Sequence, residues 1–136
     1  MIKRFLDTSF LLALGFLNDE NHDNAIHLYR SLPRDYLTTE YVLTEFLDAT
    51  SGTKSRQLGL AAVDAIRSDR QIVVVPASTD LLEDGISLYR ERGDKEWGVT
   101  DCISFIVMQR HSLSDAFTAD RHFEQAGFRA LLRCPP

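Results

Sequence analysis

An α/β fold with a central, mainly parallel sheet of about five short strands is predicted by two features of this sequence. Short apolar runs of strand length recur along the chain, and longer segments with apolar residues at helical spacing separate them. Strands alternating with helices suit parallel pairing through helical crossovers. No repeat, low-complexity tract or linker interrupts the pattern, so one domain over residues 1–136 is expected.

In chain order, the first run, IKRFL (2–6), ends at Asp7, and the hydroxyls of Thr8 and Ser9 lead into the apolar stretch FLLALGFL (10–17). A helical stripe over 22–32 stops at Pro33, and DYLT (35–38) is the second strand. The segment 39–50, TEYVLTEFLDAT, reads as a helix in which Tyr41, Val42, Phe46 and Ala49 flank Glu45. A further stripe over 55–68 precedes the third strand, QIVVV (71–75), which Pro76 closes, and 79–92 is again helical. In TDCISFIVMQRH (100–111), Thr100 or Asp101 can cap the first turn, and Ile103, Phe105, Ile106, Val107 and Met108 make the helix apolar on most sides. A central, buried helix is expected there. DAFT (115–118) and RALL (129–132) complete the strands, and between them Asp120 and Gly127 bound a short helix over 120–126 as N-cap and C′ residue.

Composition narrows the class. With 44% apolar and 26% charged residues, the chain has the make-up of a soluble globular protein. FLLALGFL (10–17) is its longest apolar run, well short of the ~20 residues that span a bilayer. MIKRFLD lacks the form of a signal peptide. A cytoplasmic location and no membrane partner are therefore expected. Cys102 and Cys134 are too few for a disulfide scaffold and lack zinc-ligand spacing, so both read as reduced and structural. The net charge of −5 argues at first against a nucleic-acid partner.

The acids are the informative residues. Asp7 and Asp120 each follow a strand-like run, and in a parallel sheet the C-terminal strand ends share the rim where ligands bind. Each alone fits a helix N-cap equally well. Glu45 sits in apolar company, where an isolated charge is costly, although an exposed helix face would serve it too. Asp101 opens the central helix, where a cap again suffices. Taken together, four carboxylates brought to one rim would raise one another's pKa unless a cation neutralised them. Oxygen ligands of this kind bind hard divalent ions, which points to Mg²⁺ or Mn²⁺.

The stretches FLDTSFLLAL (5–14), TEYVLTEFLDA (39–49) and DKEWGVTDCISFIVMQRHSLSDAFTADRHFEQAGF (94–128) resemble the PIN-domain nucleases, in particular the VapC-like toxins of toxin–antitoxin systems. The likeness spans essentially the whole chain and is faint only between about 50 and 90. It implies a three-layer α/β/α arrangement. It makes Asp7, Glu45, Asp101 and Asp120 the family's four catalytic and metal-binding acids, with Thr8, Ser9 and Thr118 as hydroxyls that order water or the scissile phosphate. It further implies a Mg²⁺- or Mn²⁺-dependent endoribonuclease, an RNA substrate, a VapB-like antitoxin whose tail enters the groove, and a homodimer. No organic cofactor is expected.

On this reading Asp7 and Asp101 are the principal metal ligands, while Glu45 and Asp120 complete the shell or hold the attacking water; one ion or two would serve. Setting those four acids aside takes the formal charge from −5 to −1, one unit for each, which softens the charge objection. Lys54, Arg56, Lys95 and Arg121 are the candidates for phosphate contact. His22, His27, His111 and His122 form no helical ligand pair and read as packing or surface residues. Asp94, Glu96 and Trp97 read as structuring the loop before Asp101, and Asp48 as solvent-facing.

Two other folds are disfavoured by single residues. A haloacid-dehalogenase-like phosphatase needs an acid two positions after the first, where Ser9 stands; a receiver domain needs an Asp after its third strand, where Pro76 stands. Two nearer readings remain: a PIN nuclease of RNA processing or structured DNA that is not a toxin, and a non-catalytic PIN-like binding module.

Overall fold

The computed structural model describes residues 3–134. Its five strands are β1 (Arg4–Leu6), β2 (Tyr36–Thr39), β3 (Ile72–Val75), β4 (Asp115–Phe117) and β5 (Arg129–Ala130). The helices are α1 (Thr8–Gly15), α2 (His22–Ser31), α3 (Glu40–Ala49), α4 (Arg56–Ser68), α5 (Thr79–Glu91), α6 (Val99–Arg110) and α7 (Arg121–Gln125). All strand pairs are parallel, in the order β3-β2-β1-β4-β5 with helices on both faces, the expected α/β/α layering. Among the described residues no helix is long and apolar enough to cross a membrane.

This strand order positions the site. The chain builds outward from β1 through β2 to β3, then returns to lay β4 on the other side of β1. The order therefore reverses between β1 and β4, where neighbouring crossovers part and leave a crevice beyond the strand ends. Leu6 pairs with Phe117, and the Asp7 backbone N–H donates to the Phe117 carbonyl at 3.2 Å, so the two strands deliver Asp7 and Thr118 side by side.

An aromatic chain holds the elements around that crevice. Trp97 meets Phe105 of α6 edge-on at 5.0 Å, Phe105 meets Phe123 of α7 at 4.9 Å, and Phe123 lies 6.2 Å from Phe5 of β1. Edge-to-face pairs of this kind add about 0.5–1.5 kcal/mol each beyond the area they bury. On the far side of α6, Gly85 lets α5 approach closely: a Cβ there would stand 2.4 Å from Ile103 Cγ1.

The structure departs from the sequence expectations at several boundaries. The stretch after Asp7 forms α1, which the sequence left unassigned because a segment apolar on nearly all sides carries no period; Phe10 and Ala13 are fully buried in it. The central helix begins at Val99 with Gly98 as N-cap, so neither Thr100 nor Asp101 caps it. Asp101 instead reaches back from the first turn to accept the Gly98 N–H at 3.0 Å, one half of a capping box. The expected strand over 129–132 ends at Ala130 and turns into a 3-10 helix, Leu131–Arg133. Leu131 and Leu132 are both buried in that turn. Ile2 of the expected first strand lies outside the described residues. The short helix α7 ends as expected, with Gly127 at φ +96° and the Phe128 N–H closing onto the Phe123 carbonyl at 3.0 Å.

Candidate active site

Asp7 leaves β1 and is the N-cap of α1, its side chain accepting the Ser9 backbone N–H. Its two sequence readings, cap and site residue, thus describe one arrangement. Oδ2 also accepts from the Ser9 hydroxyl at 2.9 Å and the Thr118 hydroxyl at 2.7 Å, and Ser9 and Thr118 are themselves 3.0 Å apart. Three donors on one oxygen fix the carboxylate's orientation and leave Oδ1 for another partner. Burial pushes the Asp7 carboxyl up to about 6; the Thr118 and Ser9 hydroxyls oppose the shift and the Glu45 charge adds to it.

Glu45 projects from α3 and is half-buried, with its Oε1 accepting from the Thr8 hydroxyl. Burial raises its pKa, opposed by Thr8 and reinforced by the charges of Asp101, Asp120 and Asp48. Asp101 is likewise raised, first by burial and then by Asp120 and Asp7, against the stabilising Gly98 N–H and His122. Asp120 follows β4 and caps α7, accepting the His122 backbone N–H at 2.9 Å. The four acids therefore act on one another from four separate elements, and no Lys or Arg is among the groups that shift Asp7, Glu45 or Asp101.

Each of the three hydroxyls holds one of the acids. Ser9 and Thr118 hold Asp7, and Thr8 holds Glu45. Ser9 Oγ also accepts from the Ala119 N–H at 2.9 Å, and Thr118 Oγ1 from the Asp120 N–H at 3.0 Å, which ties the turn carrying Asp120 to the start of α1.

His122 is the residue that sequence reasoning missed. Its Nδ1 lies 3.3 Å from Asp101 Oδ2 and 3.3 Å from Asp120 Oδ1. Among the described residues, Asp101, Asp120 and His122 form the group of possible metal ligands whose donor atoms all lie within 4.8 Å of one another. Asp7 and Glu45 do not join the trio at that spacing, so the tightest donor set differs from the expected Asp7–Asp101 pair. The other histidines match expectation: His22 Nδ1 bonds the Ala13 carbonyl at 2.7 Å, and His27 and His111 are exposed.

The flanking residues sort clearly. Arg92 grips Asp94 through two nitrogens at 2.9 and 3.0 Å and stacks over Trp97 at 5.0 Å, while Trp97 Nε1 donates to Gln125 at 2.9 Å. Asp94 and Trp97 thus structure the loop, as expected. Asp48 is exposed. Lys95, Glu96 and Arg121 border a hollow with His122, whereas Lys54 and Arg56 are exposed beside the start of α4. The donor set of carboxylates with one imidazole, and three carboxyls pushed up by burial and mutual repulsion, suit a divalent cation.

Comparisons with known proteins agree with this geometry. A family model described as the PIN domain matches residues 4–129. The 23S rRNA-specific endonuclease VapC20 of Mycobacterium tuberculosis is 32% identical over 124 residues, covering 91% of this chain and 94% of that protein. The crystal structure of M. tuberculosis VapC20, described as a Sarcin-Ricin loop cleaving toxin, superposes with a TM-score of 0.86 at 30% identity over 93% of this chain and 96% of that one. FitAcB from Neisseria gonorrhoeae shares the fold at a TM-score of 0.66 and 17% identity, covering 96% of this chain and 95% of that one. With its switch-point acids and a likeness to VapC20 that runs nearly end to end, the chain belongs to the PIN-domain family, among its VapC-like members.

Proposed function

We propose that this protein is a Mg²⁺- or Mn²⁺-dependent endoribonuclease, the toxin of a VapBC-type pair, working in the cytoplasm as a single PIN domain over 1–136. The observation that carries the reading is the convergence of Asp7, Glu45, Asp101 and Asp120 at the β1–β4 switch point, with no Lys or Arg among the groups that shift Asp7, Glu45 or Asp101. The likeness to VapC20 supports the sarcin–ricin loop of 23S rRNA as the substrate.

A bound divalent ion supplies an acidified water as nucleophile and Lewis-acid stabilisation of the phosphoryl oxygens. The chain's own residues do the rest. Ser9 and Thr118 aim the Asp7 carboxylate, and Thr8 holds Glu45 where it can accept a proton from attacking water. Asp101 and Asp120, each tied at its helix N-terminus, would hold the cation through their remaining lone pairs. Lys95 and Arg121 contact flanking phosphates across the hollow they share with His122.

Partners follow from two surfaces. Leu82, Ile86 and Tyr89 form one exposed apolar face of α5, which supports a homodimer through the middle helices. The crevice beyond the ends of β1 and β4, which holds the four acids, is where the tail of a VapB-like antitoxin would enter. The function is tested by incubating purified protein with intact ribosomes and with a synthetic sarcin–ricin hairpin in EDTA, Mg²⁺ or Mn²⁺. Cleavage at one position that needs metal and is lost in Asp7→Asn and Asp101→Asn is expected. Metal-independent cleavage, or full activity in both variants, contradicts it.

A further inference from the structure

The position of His122 is unusual for a residue that only pairs with its neighbours. Its Nδ1 stands equally far, 3.3 Å, from one oxygen of Asp101 and one of Asp120. A charge-assisted N–H···O bond closes to about 2.7–2.9 Å, so each of these contacts is a long one. The three donor atoms, within 4.8 Å of one another, are also near the spacing of cis ligands on a coordination octahedron, which with bonds of about 2.1 Å lie about 3.0 Å apart. The ring is held there: the His122 N–H is fixed to Asp120, and the next residue, Phe123, is fully buried in the aromatic chain. Both oxygens have other partners only through one backbone N–H each, Gly98 to Asp101 and His122 to Asp120, so each keeps a lone pair free.

We propose that His122 is a direct metal ligand through Nδ1, forming with Asp101 and Asp120 a face of two oxygens and one nitrogen that selects a Mn²⁺-type transition ion over Mg²⁺. The inference rests on the metal-dependent reading above and adds to it a ligand and a preference. Carboxylate and water suit both ions, but an imidazole nitrogen favours a first-row divalent ion over Mg²⁺, with Mn²⁺ the weakest binder of that series. Magnesium, which prefers oxygen and retains its waters, gains little from the ring.

The test uses the metal-stripped full chain and Mn²⁺ as the probe. Pulsed electron paramagnetic resonance of the bound Mn²⁺ should show the ¹⁴N coupling of a coordinated imidazole, and the coupling should vanish in His122→Gln. Titration calorimetry should show that His122→Gln weakens Mn²⁺ about tenfold and Mg²⁺ less than about threefold. Mn²⁺ bound to the unaltered protein without ¹⁴N coupling overturns the ligand assignment while leaving the metal-dependent reading standing. Coupling that survives in His122→Gln, or equal losses for the two ions, overturns it as well. No binding of either ion at millimolar concentration overturns the metal reading and this inference together. The unaltered protein's spectrum decides the matter even if the variant does not fold.

Discussion

Asp7 and Asp94 are both aspartates beside the same crevice, and their surroundings are opposite. Asp7 is 4% exposed and meets only hydroxyl and amide donors, with the Glu45 charge against it; its carboxyl is pushed up to about 6. Asp94 lies at the surface in the two-pronged grip of Arg92 and is held down to about 2, mainly by that hydrogen bonding. Hydroxyls orient an anion without cancelling it, whereas a guanidinium does both. The Asp94 loop carries its own counter-charge, and Asp7 has only neutral donors around it.

Removing the Asp7 carboxylate should break this contrast most severely. Asp7→Asn keeps an oxygen to accept from Ser9 and Thr118 but lacks the charge that draws the cation, so cleavage should fall about 100-fold or more. The same change should stabilise the metal-free protein. The folded pKa lies above the ordinary 3.8, so the folded chain holds the proton longer than the unfolded one. Stability from this group is complete below about 4 and is lost as pH rises through about 6, in all by up to about 3 kcal/mol. Urea unfolding of the EDTA-treated protein should therefore weaken between pH 4 and pH 7, and Asp7→Asn should flatten the trend.

Thr118→Val should have the next largest effect. Loss of the 2.7 Å donor should raise the Asp7 pKa further and lower kcat about tenfold. Thr118→Ser should restore both, which a packing defect alone would not allow. Gly85→Ala should cost stability and spare the chemistry, because its Cβ would press on buried Ile103 between α5 and α6, the helices that flank the Arg92–Asp94 loop. A loss of about 1–3 kcal/mol in denaturant unfolding is expected, with kcat little changed in the protein that remains folded. Asp94→Asn should do least: activity within about twofold of the unaltered protein, since the pair is exposed and screened.

Much of this arrangement was legible in the sequence, for identifiable reasons. The five strands and the acids that follow two of them could be read because apolar runs ending in a charge are local signals. Asp120 and Gly127 bracketed α7 correctly because cap and left-handed C′ residue are also local. α1 escaped because FLLALGFL is apolar on every side and offers no period. His122 escaped because its partner Asp101 is 21 residues away, a proximity that only the meeting of α6 and α7 creates. The one available sign was the Asp-x-His spacing at a capped helix start, where the backbone turns both side chains to the same end. The hydroxyls were recognised, but their targets depended on the register of β1 with β4.

The central claim is that the switch-point rim withholds its own counter-charge and takes a divalent cation in its place. Carboxyl ¹³C NMR of Asp7, titrated with and without saturating Mg²⁺, tests it most directly. The expected pKa is about 6 in the metal-free protein, dropping by at least about one unit when Mg²⁺ is present. An Asp7 that titrates in the ordinary carboxylate range without metal, or at the same pH with and without it, would contradict the claim.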